Sequence, residues 1–163
     1  MLEQGIWWAL RPLEVRQVGG QSPSVRHFPP APLNQLFGHG QIYLVPIGGI
    51  GQSFSPSLLQ YYKNKYGLAL HVLPSMAIPE WARDEPRKQL VAEEVIEAMR
   101  RAYPKQASAP DSILIGVTNE DMYIADLDWK FAPNFRHLPH VAEISTARLN
   151  PVFYGEPAAP PIV

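Results

Sequence analysis

Cysteine is absent from all 163 residues. Neither a disulfide framework nor a thiolate zinc site can form, which fits a reducing compartment. Charge is scarce as well. Charged side chains make up 18% of the sequence and the formal net charge is -1, so no basic surface argues for nucleic acid or an anionic membrane. No apolar run approaches the roughly 18 residues of a membrane span. The apolar stretch from Gly5 to Leu10 is too short for the core of a secretion signal, and no basic residue precedes it. These absences predict a cytoplasmic protein with no nucleic-acid or membrane partner. One further absence concerns a pairing. His27, His39, His71, His137 and His140 are followed by Phe, Gly, Val, Leu and Val. The zinc helix of many peptidases needs a glutamate directly after its first histidine, and no such pair exists.

Proline is in excess, with 18 residues where an average chain of this size has about eight. Pro23, Pro29, Pro30 and Pro32 crowd one end, and Pro151, Pro157, Pro160 and Pro161 the other. Their fixed φ and missing donor argue against regular structure there. The length suits one domain that buries roughly 70% of its unfolded surface. The expected organisation is an irregular extension over 1–40, an α/β domain over 41–155 and a proline-rich tail over 156–163.

Within the domain, the apolar run from Ile42 to Ile47 reads as a buried strand, with Pro46 placed at its end or on a bulge. A helix follows, capped by Ser53 or Ser55 and carrying Pro56 in its first turn. Leu58, Tyr62 and Tyr66 recur at i, i+4, i+8 and form its inward stripe, and Gly67 closes it. Leu68 to Pro74 is a second strand. Asp84 then reads as the cap of a second helix, with Pro86 in its first turn. Its apolar face is Val91, Val95, Met99 and Ala102, and Glu97 reaches Arg101 on the polar side. Pro104 ends it near Tyr103. The near-continuous apolar run from Ser112 to Thr118 predicts a strand buried on both faces. Extended pieces around Trp129–Ala132 and Val141–Ser145 follow. Strand and helix alternate, so the fold class is α/β: a twisted, mostly parallel sheet with two crossover helices and one antiparallel edge strand.

Four segments recur here in a meaningful order: Tyr43-Leu-Val-Pro-Ile-Gly48, Asp84-Glu-Pro-Arg-Lys-Gln-Leu-Val-Ala-Glu93, Ile115-Gly-Val-Thr-x-x-Asp121-Met-Tyr123 and Ile144-Ser-x-Ala-Arg-Leu-Asn150. Together they resemble the archaemetzincins, zinc-dependent metallopeptidases of the metzincin type, over roughly Gln41 to Gly155. The resemblance implies the N-terminal subdomain of a metzincin-like fold. In the family, a helix with a His-Glu-x-x-His-type motif comes next, and that motif is missing from this sequence. The chain as given is therefore expected to be catalytically inactive or incomplete. No catalytic or metal residue is carried over, and no cofactor is expected here, whereas complete members use zinc. The resemblance also implies an edge strand that binds extended peptide, with the piece around Trp129-Lys-Phe-Ala in that place. Trp129 and Phe131 are accordingly the substrate-groove candidates, and Phe135 has the same spacing.

The alternative is a non-catalytic module that captures a peptide or protein through an exposed edge strand. Loss of a helix that packs on the sheet would also leave apolar surface to be covered by Trp7 and Trp8, by the tail or by another chain, so self-association is expected. Other constellations read blandly. His137 and His140, with Glu143, are a polar loop running into a strand, because Pro139 prevents a shared helix face. Gly48-Gly-Ile-Gly51 is a tight turn that lacks the remaining parts of a phosphate loop. Ser145, Thr146 and Arg148 have structural roles at a strand end. Asp121, Asp126 and Asp128 are expected in a solvated loop.

Overall fold

The structure is a computed structural model, and it describes residues 36, 39–50, 54, 56–127, 129–137 and 140–157. Trp7, Trp8, Gly51, Ser53, Ser55, Asp128, Pro139 and the tail from Ala158 onward lie outside the described residues, as does nearly all of the 1–40 extension. Leu36, from that extension, is buried.

The strand β1, Gln41–Ile47, forms where the sequence run is apolar and β-branched, and it sits inside the sheet. It pairs in parallel with β2, Ala69–Val72, on one side and with β5, Ser112–Thr118, on the other. Pro46 lies one residue from the end of β1, just past Val72, the last residue of β2. Its carbonyl accepts from Met76 N–H at 2.9 Å, so its missing donor faces the place where β2 has already ended. That placement follows from the lost ladder bond.

The helix α1, Pro56–Tyr66, connects β1 to β2. Lys63 and Lys65 in its last turn complement the negative end of its dipole. Gly67 ends it at φ 64, donating its N–H to the Lys63 carbonyl at 3.0 Å. Tyr62 is fully buried, and Leu58 and Tyr66 pack beside it against the same core. The expected stripe is present.

The next segment departs from expectation. Asp84 does not cap a helix. It closes β3, Arg83–Asp84, and a turn over 85–88 leads back into β4, Gln89–Val91. Asp84 Oδ1 accepts from Arg87 N–H at 3.1 Å within that turn, and Lys88 adopts φ 53, which no helix tolerates. The Asp-x-Pro pattern thus builds a hairpin turn. The helix α2, Ala92–Ala102, starts eight residues later. Its buried face is Ala92, Val95, Ile96 and Met99, while Ala102 is exposed. Glu97 pairs with Arg101 at 2.9 Å as expected, and with Arg100 at 3.1 Å. Tyr103 ends α2, and Pro104 opens a short helix α3, Pro104–Ser108.

Every residue of β5 is buried. Two short strands complete the set, β6, Met122–Tyr123, and β7, Asn134–Arg136, and the last strand is β8, Val141–Ser145. The main sheet has the order β2-β1-β5-β8-β7, parallel throughout except for β7, which runs antiparallel to β8 at the edge. This matches the expected sheet in class and in its single antiparallel edge. The edge strand is Asn134–Arg136, however, not the Trp129–Ala132 piece. The backbone of Trp129 and Lys130 bonds to side chains of another segment, which leaves it no strand partner. A small second sheet, β3-β4-β6, flanks the first.

Side chains alternate across the sheet into two cores. Ile42, Leu44, Ile113, Ile115, Val117, Ala142 and Ile144 join α1 on one face. Val45, Ile47, Leu114 and Val141 join α2 on the other. All of these are buried, and each valine, leucine and isoleucine among them stabilises the fold by about 2 kcal/mol. The apolar sheet surface that was expected to need cover is thus buried. Exposed large apolar side chains occur elsewhere, notably Trp129, Phe131, Leu149, Val152, Phe153 and Tyr154.

Candidate functional site at the carboxyl ends of the strands

In open α/β sheets, sites form outside the carboxyl ends of the parallel strands. Here those ends are Ile47, Thr118 and Ser145. The loop after β1 turns at once, with Gly48 at φ 71. A Cβ there would lie 2.8 Å from Ile78 Cδ1, so the glycine serves a tight backbone approach. Beyond β8, the chain continues through a 3-10 turn, Ala147–Leu149, and a second, Pro151–Tyr154.

The hydroxyls at this end are spent on backbone. Ser145 Oγ donates to the Glu120 carbonyl at 2.6 Å and accepts from Ala147 N–H at 3.3 Å. Thr146 Oγ1 donates to the Thr118 carbonyl at 3.1 Å. Neither is poised as a nucleophile, in line with the structural reading.

Asp121 is not solvated. It is largely buried, and it accepts Arg148 Nε at 2.9 Å, Arg148 Nη2 at 2.8 Å and Gln89 Nε2 at 2.7 Å. Burial pushes its carboxyl up, but the bonds from Arg148 and Gln89 outweigh that and hold it below the ordinary value. Gln89 also donates to the Lys130 carbonyl at 2.9 Å. Arg87 donates to Gln89 Oε1 at 2.9 Å and to the carbonyls of Trp129 and Lys130 at 3.2 and 3.0 Å. Its guanidinium lies 3.7 Å from the centre of the Tyr123 ring. The line Arg87, Gln89, Asp121, Arg148 therefore fastens the 129–132 loop to the strand ends.

The groove candidates share this loop. Phe131 is 43% exposed, and its ring centre lies 3.8 Å from the Arg148 guanidinium, which also approaches Phe153 at 4.9 Å. Trp129 is 55% exposed and is held through its carbonyl. Phe135 packs against the α2-side core instead of lining a surface. The two histidines of the metal-like cluster separate: His140 Nδ1 sits 3.0 Å from the Ser112 carbonyl, and His137 stacks on Phe135. Among the described residues, no three histidine, aspartate or glutamate side chains stand close enough to hold a metal ion.

Glu143 is the residue that sequence reasoning missed as a special position. It lies in β8, fully buried, and among the described residues neither carboxylate oxygen has a hydrogen-bond partner. Burial, reinforced by the charge of Glu93, pushes its carboxyl well above the ordinary range. A signal was available: strand alternation puts Glu143 on the face of Val141, toward the α2-side core.

No family model matches the chain. It is 33% identical over 127 residues to the archaemetzincin of Pyrococcus furiosus, covering 71% of this chain and 61% of that protein. The archaemetzincin of Pyrococcus abyssi is 31% identical over 129 residues, covering 72% and 63%. This chain is archaemetzincin-like. It spans about three-fifths of the length of the curated relatives it matches. Solved structures agree on the fold. The Methanopyrus kandleri archaemetzincin superposes with TM-score 0.55 at 22% identity, covering 72% of this chain and 65% of that one. A zinc-dependent peptidase from Methanocorpusculum labreanum gives TM-score 0.56 at 20% identity, covering 72% and 70%. Among the described residues, no helix is long and apolar enough to cross a membrane.

Proposed function

We propose that this chain carries the scaffold of an archaemetzincin-type zinc peptidase and is catalytically incomplete as given. The observation that carries the reading is in the sequence: none of the five histidines is followed by glutamate, and there is no cysteine. The residues present do not fit a catalytic zinc. His140 is engaged with a backbone carbonyl and His137 with an aromatic ring, and among the described residues no three histidine, aspartate or glutamate side chains could hold a metal ion. The test is the purified 163-residue chain supplied with zinc and a library of fluorogenic peptides. No chelator-sensitive cleavage is expected, and zinc calorimetry should show no tight one-to-one binding. Metal-dependent cleavage would overturn the reading. Its lack of cysteine supports a cytoplasmic setting.

A second reading concerns recognition. Among the described residues the strand β7 is paired on one side only, and the exposed rings of Trp129 and Phe131 precede it in the chain. These features support capture of an extended peptide by strand addition, or association with a second copy along the same edge. Asn134→Pro should abolish a peptide-array signal, because the Asn134 N–H points away from β8, and loss of that signal together with unchanged folding would support capture. A signal that survives the substitution counts against it. Light scattering that finds a monomer at every concentration counts against self-association.

A further inference from the structure

We infer that Glu143 is a proton-controlled latch for the edge strand β7: while its carboxyl is neutral β7 stays docked on β8, and ionisation releases it. The inference stands on geometry and is independent of the peptidase reading. Glu143 is opposite Phe135 of β7 and opposite Gly116 of β5, so it occupies the middle of the last two strand pairings of the sheet. Its side chain is completely buried on the α2 side, with no donor for either oxygen among the described residues. A neutral carboxyl tolerates such a site far better than a carboxylate does.

The charged groups around it offer no relief. From α2, Glu93 acts on it and opposes a second negative charge. The Glu93 oxygens already accept the N–H groups of Ala125 and Asp126, each at 3.1 Å. Glu97 of α2 is held by Arg100 and Arg101. From β7, Arg136 is opposite Ala142 and so points to the other face of the sheet. His137 stacks on Phe135 and acts on Glu97. The facing residue of β5 is a glycine, and Met122 and Ile124 on the same core are apolar.

Once ionised, the carboxylate must reach water. The inner route is closed, because Ile47 and Met99 already fill the space over Gly116. The outer route lies past β7, a strand of three residues with a single neighbour. That strand yields first. The direction of the linkage follows. A folded-state value above the unfolded one means that the folded chain keeps its proton longer. The stability is full below the unfolded value near 4.5 and is lost progressively as pH rises toward and through the folded value.

Residue-resolved hydrogen exchange on the full chain from pH 5 to 10 tests this, with rates corrected for intrinsic exchange. His137 donates to the Val141 carbonyl and Ser145 to the Pro133 carbonyl, so both amides report the β7–β8 pair. Leu73, which donates to Leu44 between β2 and β1, is the control. Protection at His137 and Ser145 should fall at least tenfold with a one-proton dependence while Leu73 holds, and Glu143→Gln should remove the fall. An unchanged fall in the variant, a parallel fall at Leu73, or no fall up to pH 10 would overturn the inference. If the variant does not fold, a carbon-13 carboxyl titration of the wild-type Glu143 decides. A midpoint that coincides with loss of protection supports the latch, and one in the ordinary carboxylate range overturns it.

Discussion

Arg148 grips Asp121 with two parallel bonds, Nε to Oδ1 at 2.9 Å and Nη2 to Oδ2 at 2.8 Å, across the carboxyl ends of two strands. Such a fork fixes direction as well as distance. Removing the guanidinium would leave the Asp121 carboxylate with Gln89 and the Met122 N–H but no cation, so Arg148→Ala should lower stability by about 2 kcal/mol in urea unfolding. Arg148→Lys should recover little, because one ammonium cannot reproduce the fork or the stacking on Phe131. The sign with pH follows from a carboxyl held low. Its contribution is full above the ordinary value of 3.8 and is lost as pH falls through the folded-state value. The difference between wild type and Arg148→Ala should therefore shrink in strong acid.

Glu143→Leu should stabilise the chain. An apolar side chain of similar size would remove an unsatisfied carboxyl from a closed core, a gain of about 1–3 kcal/mol at pH 8. The gain should be smaller at pH 3, where the wild-type group is neutral in both states. Thermal melts at the two pH values check the ordering, and an equal gain at both would contradict it.

Gly116→Ala should destabilise the sheet. Its Cβ would sit 2.5 Å from both Ile47 Cδ1 and Met99 Sδ, and relief requires displaced side chains in a full core. The cost should be about 1–3 kcal/mol. Trimming the neighbour relieves the clash, so Gly116→Ala should cost less in a Met99→Ala background than in wild type. A double-mutant cycle measures the coupling.

Arg87→Ala should free the 129–132 loop. Arg87 binds the carbonyls of Trp129 and Lys130 and stacks on Tyr123, tying three segments together. Exchange protection over 129–132 should fall, and the emission of Trp129 should become more accessible to a quencher. Substituting the three remaining tryptophans by phenylalanine isolates that signal. Unfolding midpoints should move little, since the core beneath is apolar.

The sequence disclosed the parts of the fold whose chemistry is uniform over a long stretch. The run from Ser112 to Thr118 could only be a strand buried on both faces, and Gly67 had to stop the helix that Tyr62 and Tyr66 define. Short strands escaped for a physical reason. Asp84 and Pro86 are equally at home at a helix start and in a turn, and only the long-range pairing of Leu90 with Met122 decides between them. The edge strand was misplaced because Trp129-Lys-Phe-Ala alternates well, whereas Asn134-Phe-Arg has a single apolar residue and draws its order from β8. Trp129 and Phe131 do lie together on an exposed loop. Their link to Asp121 through Arg87 and Gln89 could not be read from spacing, because it joins segments some forty residues apart.

The pairing of β1 with β5 has a consequence for how the chain acquires its structure. Gln41 is matched to Ser112, about 70 positions further along, and every later residue of β1 waits equally long for its partner. During synthesis, the β5-facing edge of β1 stays unpaired until Thr118 has left the ribosome. A nascent chain halted before that point holds a sticky, half-built strand, and chaperone crosslinking to Tyr43 should cease abruptly once it is passed.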